Sequence, residues 1–186
     1  MFKKFFCPSK KNVPSSDEAK YPSGELLLSV IQKEYDYELA RKSTLETRSG
    51  VVLTLSLSIL TFVVTNIKMD KLLLLDTSKV MTIIFISFFI LTVIISIGSL
   101  ITSLILLIKV LLTYEYRRLE LDDFNEEYGS FQKDIIAMAL TKEYKNIVTA
   151  NQKVNNDKTK FYRFGVYSAI SLVISSILLY ILSLSL

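Results

Sequence analysis

The chain has 186 residues, of which 51% are hydrophobic, with no histidine, no tryptophan and a single cysteine, Cys7. That composition excludes Cys/His zinc sites, disulfide frameworks and every histidine-dependent catalytic triad or dyad. The net charge of +4 comes from 22 basic and 18 acidic residues that are interleaved, so no nucleic-acid partner is implied.

Residues 1–24 contain all three prolines, Pro8, Pro14 and Pro22, and read as a basic flexible tail. The run from Met1 to Pro8 is too short an apolar stretch for a secretory leader. From Glu25 the residues Leu28, Ile31, Tyr35 and Leu39 repeat every three or four positions and form one apolar stripe. No stop signal follows. The pattern predicts one helix from about Glu25 to about Ile67, with an entry part over 25–49 and a membrane span over 50–67.

Three blocks lack any charge: Gly50 to Ile67 with 18 residues, Val80 to Ile108 with 29, and Phe164 to Leu186 with 23. A bilayer core needs about 20 apolar residues of helix, so each is long enough to cross or nearly so. The second would be about 43 Å long and must tilt or protrude. The expected fold is all-α: an integral membrane protein with three transmembrane helices, over 50–67, 80–108 and 164–186, and long cytoplasmic helical extensions.

Between the first two spans lies a short outer loop, 68–79, in which Leu72 to Leu75 need cover from lipid or a neighbour. The segment 109–163 is helical in pattern. Phe124, Tyr128, Phe131, Ile135 and Met138 are spaced 4, 3, 4, 3 and form a seam that needs a partner, either the stripe at Leu28 to Leu39 or another subunit. The phase is unbroken across Gly129, which favours one rod over a hairpin. The asparagine-rich run Asn151 to Asp157 reads as the turn before the last span, with Asn156 or Asp157 as N-cap. The acidic cluster Asp122, Asp123, Glu126 and Glu127 reads as a solvated helix face, with a bound cation or Arg117 and Arg118 of a neighbour as the alternatives.

Nineteen Lys and Arg lie before span one or between spans two and three, against three (Lys68, Lys71, Lys79) in the outer loop. This asymmetry predicts an inner-membrane, multi-pass protein with a cytoplasmic N-terminus and an outward C-terminus. Tyr114, Tyr116, Tyr162 and Tyr167 then flank the cytoplasmic boundary.

Each span carries a ridge of hydroxyls: Thr54, Ser58, Thr61 and Thr65 in the first, Thr92, Ser96, Ser99 and Ser103 in the second, Ser168, Ser171 and Ser175 in the third. Each set falls within about 60° of one helix face. Small hydroxyl residues serve close helix packing, or line a wet pore in an oligomer. Span two, with Gly98 nearby, is the stronger pore candidate on its length and position. The spans contain no ionisable residue, which argues against a coupled transporter but not against a weakly selective pore. No phosphate-cradling glycine loop, metal-ligand cluster or other catalytic motif is present, so no enzyme, cofactor or metal is expected.

The stretch Glu34-Tyr-Asp-Tyr-Glu-Leu-Ala-Arg-Lys-Ser-Thr-Leu-Glu-Thr-Arg-Ser-Gly50 leading straight into a span, with the Asn151/Asn155/Lys158 run before the last one, resembles the SLATT-type small transmembrane effectors of bacterial anti-phage systems. The likeness covers roughly residues 25 to 112; those proteins typically have two spans, and this chain has a third. The resemblance implies a homo-oligomer in the bilayer that opens the inner membrane during abortive infection, triggered through a cytoplasmic protein or nucleotide-signalling partner. Two alternatives fit the same features: a non-conducting scaffold that recruits a cytoplasmic partner, and a membrane immunity protein that blocks a toxin.

Overall fold

The computed structural model describes residues 20–66, 78–112, 116–120 and 129–185. The described part is built on three long helices, α1 (Gly24–Asn66), α2 (Val80–Leu111) and α3 (Lys133–Leu184). Each is long and apolar enough to cross a membrane. The outer-loop leucines Leu72 to Leu75 and the acidic cluster at 122–127 lie outside the described residues.

Helix α1 begins two residues after Pro22, where Gly24 N–H donates to Tyr21 O at 2.9 Å, and it runs 43 residues without interruption. Its extent matches the sequence expectation because nothing after Pro22 breaks a helix. The stripe Leu28, Ile31, Tyr35 and Leu39 is half-buried, and the rings of Tyr35 and Tyr144 meet edge to face at 5.5 Å. Helix α2 ends with Lys109 in its last turn, the charge that suits a helix C-terminus.

Helix α3 differs from expectation at both places where a boundary was expected to lie elsewhere. It starts at Lys133 after Gln132 in an extended conformation (φ −60°, ψ 141°), so the segment 113–160 is not one rod. Residues 116–120 are non-helical as well. A start at Lys133 places Asp134 in the first turn, where a carboxylate is favoured, and its Oδ2 accepts a 2.8 Å bond from Tyr21 N–H. The five-residue seam is therefore interrupted. Ile135 and Met138 are half-buried on α3, Phe131 is exposed and outside the helix, and Phe124 and Tyr128 lie outside the described residues. The second correction is the run Asn151 to Asp157, which is not a turn. It sits inside α3, which continues for 52 residues, and neither Asn156 nor Asp157 is an N-cap.

The starts of α1 and α3 are joined by the Tyr21–Asp134 bond and by the Glu25–Lys133 ion pair at 2.7 Å. Further along, Phe62 meets Tyr180, so the two helices run parallel. Helix α2 runs antiparallel to α3, since Ser103 pairs with Gly165 and Ser99 with Ser171. Helix α3 is the central element, in extensive contact with both others.

Small polar residues share the interior with Phe89, Leu107, Leu172 and Leu179, and many aliphatic side chains face out. Ile94, Ile101, Ile105, Ile170, Ile174 and Ile177 point outward, while Thr92, Ser96, Ser103, Ala169, Ser175 and Ser176 are buried between helices. In lipid the aliphatic side chains lose nothing by facing out, and small residues let the helices approach closely.

Candidate functional site

Two arrangements of polar groups are built on these helices. The first is the set of hydroxyl ridges. Thr92, Ser96 and Ser103 of α2 are buried and Ser99 is half-buried, all against the chain's own helices. Ser103 Oγ donates to Gly165 O at 3.1 Å, and the Ser99 and Ser171 hydroxyls share a 3.0 Å bond. A Cβ on Gly165 would lie 2.9 Å from Leu107 Cδ2, so any larger residue here would force Leu107 to move. On α3, Ser175 is buried and back-bonded to Leu172 O at 3.0 Å, while Ser168 and Ser171 are half-buried at the edge of α2. The α1 ridge has the opposite placement. Thr54, Ser58, Thr61 and Thr65 are all exposed, and each donates to the carbonyl four residues back at 2.9–3.1 Å. The buried face of α1 is a different one, Leu45, Ser49, Ser56 and Val63.

Ser99, Ser168 and Ser171 share an open groove of about 700 Å³ between α2 and α3, with Gly98, Thr102 and Tyr167 also on its walls. This gathering of spans two and three follows from their antiparallel pairing, which brings residues 95–106 beside residues 161–171.

The second arrangement is a buried polar belt where the polar halves of α1 and α3 give way to their apolar halves. Glu38, Asn155 and Lys158 are 2%, 0% and 0% exposed. The Asn155 amide nitrogen lies 2.6 Å from Glu38 Oε2, 2.9 Å from Glu38 O and 3.0 Å from the Tyr116 hydroxyl. Tyr116 in turn donates to Glu38 O at 2.9 Å. One turn earlier, Asn151 pairs with the backbone of Arg117 in both directions: its Oδ1 accepts from the N–H at 3.0 Å and its Nδ2 donates to the C=O at 3.1 Å. The side chain thus does what a neighbouring strand would do, and it holds the non-helical connector 116–120 on α3. Lys42 lies over the Tyr116 ring at 4.8 Å.

Charge is compensated on the same belt. Lys158 Nζ donates to Glu46 Oε1 at 2.5 Å, a pair between a fully enclosed ammonium and a carboxylate that still reaches water. Arg41 lies 3.6 Å from Glu38 and donates to Asn156 Oδ1 at 2.9 Å and Thr159 Oγ1 at 3.1 Å. A buried carboxylate without such partners would cost several kcal/mol, about 3–5 on losing one partner. Burial raises the Tyr116 pKa, with the bond from Asn155 lowering it in part and the Glu38 charge adding to the rise. The phenol therefore stays a neutral donor.

Sequence reasoning missed Glu46, placed Tyr116 only at the membrane boundary, did not bring Glu38 onto α3, and put Asn151 and Asn155 in a turn. A signal was present. Asn151, Asn155, Lys158, Tyr162, Gly165, Ala169, Leu172, Ser176, Leu179 and Ser183 alternate by four and three, one seam that passes from polar to apolar without a break. Of these, all but the half-buried Tyr162 are buried.

No family model matches this chain, and neither curated proteins nor solved structures give a match.

Proposed function

We propose that the chain is a homo-oligomeric membrane effector whose α1 hydroxyl stripe lines a weakly selective, cation-permeable pore. The observation that carries this reading is the exposure of Thr54, Ser58, Thr61 and Thr65 on one face of an otherwise aliphatic helix. The hydroxyl hydrogens of Thr54, Ser58 and Thr61 are committed to their own helix carbonyls, so these oxygens present lone pairs outward. A ring of such faces about an axis offers acceptor oxygens to a passing cation, as water does. The ridge of α2, buried within the protomer, is occupied by packing and is replaced by that of α1 in this reading.

In this reading the polar halves of α1 and α3 lie in the cytoplasm, as the nineteen-to-three distribution of Lys and Arg supports. The biological setting, membrane permeabilisation in an abortive response to phage, rests on the resemblance of the entry helix to SLATT-type effectors. The test is membrane potential in cells expressing the chain, read with a voltage-sensitive dye. Depolarisation that Ser58→Leu plus Thr61→Leu abolishes supports the pore. Depolarisation of equal size in that variant removes α1 as its wall.

A second reading, the non-conducting scaffold, is favoured by one feature. Leu26, Val30 and Tyr37 are 66%, 51% and 63% exposed on the polar half of α1. Their spacing places them on one face, opposite the stripe that packs on α3. A recruited soluble partner fits that face. An unchanged potential together with a stoichiometric soluble partner, lost in Val30→Glu, would favour this reading.

A further inference from the structure

The groove between α2 and α3 has no role in the pore reading, and its chemistry changes along its length. Its walls in the apolar part are Gly98, Ser99 and Thr102 from α2 and Phe164, Tyr167 and Ser171 from α3, and it is open on its outer side. The groove offers about 700 Å³ and is open along one side, room for an extended chain rather than for an enclosed ligand. At the polar end the groove reaches Leu106 and Phe161. Lys109 is three residues beyond Leu106, on the same face of α2, and its Nζ stands 5.4 Å from the centre of the Phe161 ring. On α3, Asp157 and Lys160 precede the groove and pair with each other at 3.1 Å. Asp157 therefore offsets Lys160. Among the described residues, Lys109 has no carboxylate partner, and the mouth is left with one positive charge.

We infer that this groove binds one anionic phospholipid. An acyl chain occupies the part walled by Gly98, Phe164 and Tyr167, and the headgroup phosphate meets Lys109. The occupant follows from charge and shape. The floor is apolar and opens where aliphatic side chains such as Ile94 and Ile170 already face outward, and the positive charge sits at one end only. That is the complement of an amphiphile with an anionic head. A helix of a second copy would fill the floor and leave the Lys109 charge unanswered. Basic pockets at the polar edge between membrane helices recognise anionic headgroups for the same reason. The Ser168 hydroxyl adds a donor at the level of the lipid esters, whereas that of Thr102 already donates to Gly98 O at 2.8 Å. The inference requires only that the helices cross a bilayer, and it stands whether or not the assembly conducts.

The experiment uses the full chain purified in mild detergent, with dioleoylphosphatidylglycerol or dioleoylphosphatidylcholine added and the bound lipid counted by native mass spectrometry. The expected result is one retained phosphatidylglycerol per chain, with a preference of about fivefold over phosphatidylcholine for one cationic contact near the surface. Lys109→Gln should remove most of the preference. Gly98→Leu should reduce retention of both lipids, since a Cβ at Gly98 has no atom within 4 Å and the added side chain fills the groove without disturbing the helix crossing. Equal retention of the two lipids by the wild-type chain overturns the inference. So does wild-type retention in both variants. A lipid-free dimer that Gly98→Leu disrupts would assign the groove to a second copy, which also overturns it.

Discussion

The polar belt makes a quantitative prediction about how α1 and α3 are held in parallel. Replacing Asn155 by Leu removes the amide that lies 2.6 Å from the Glu38 carboxylate, 2.9 Å from its carbonyl and 3.0 Å from the Tyr116 hydroxyl. A hydrogen bond to a charged group contributes about 1.5–3 kcal/mol, and a neutral one about 1. Glu38 is 2% exposed and is then left with Arg41 at 3.6 Å as its compensation. The expected cost of Asn155→Leu is about 3–4 kcal/mol, most of it the stranded carboxylate. Glu38→Leu should cost less, about 2–3 kcal/mol, because a neutral amide is cheaper to strand than a charge. The double variant has neither group to strand. Its cost should fall short of the sum of the two by about 2 kcal/mol, the size of coupling found for residues in one network. Unfolding in mixed micelles with increasing denaturing detergent, followed by far-ultraviolet circular dichroism, measures all three. Single-variant losses that add to within about 0.5 kcal/mol would refute the direct Glu38–Asn155 contact.

Three further predictions follow from particular contacts. Gly98→Ala should stabilise the chain by about 0.5–1 kcal/mol through helix propensity, whereas Gly165→Ala should lose about 1–2 kcal/mol net against Leu107; the same unfolding assay giving shifts of one sign for both would contradict the α2–α3 crossing. Asn151→Ala should release the connector 116–120, seen as faster amide exchange at Arg117 with that of the α3 apolar half unchanged, and equal exchange would show that Asn151 does not hold it. Because burial raises the Tyr116 pKa, its neutral form adds stability that is complete below the ordinary phenol value of 10.0 and is lost as pH rises through the higher folded value. The stability gap between wild type and Tyr116→Phe should therefore narrow above pH 10.0, and parallel pH profiles would refute it.

The three helices were legible because uncharged blocks of this length have few other uses, and the extent of α1 was legible because no breaker follows Pro22. The asparagine run misled for a physical reason. Asparagine disfavours helix interiors because its side chain competes for backbone groups. Here Asn151 satisfies that demand on the backbone of Arg117, and Asn155 turns its amide nitrogen to Glu38 while its Oδ1 has no partner among the described residues; the helix is kept. Local propensity carries no information about partners 34 and 117 residues away. The ridges show the same limit. Their periodicity was plain, but serine and threonine serve both packing and exposure, so the sequence could not rank them. Ser103 is buried against Gly165, while Thr61, with the same spacing pattern, faces outward. The start of α3 at Lys133 was marked only by Gly129, and the apolar phase that continues across that glycine hid it.

The pore itself is tested most directly by cation flux through the purified chain reconstituted in vesicles. The account predicts potassium flux that rises steeply with protein density, persists in Gly98→Ala, and is abolished by Ser58→Leu plus Thr61→Leu in a chain that still folds. Flux that is absent at every density, or unchanged in that double variant, would contradict it.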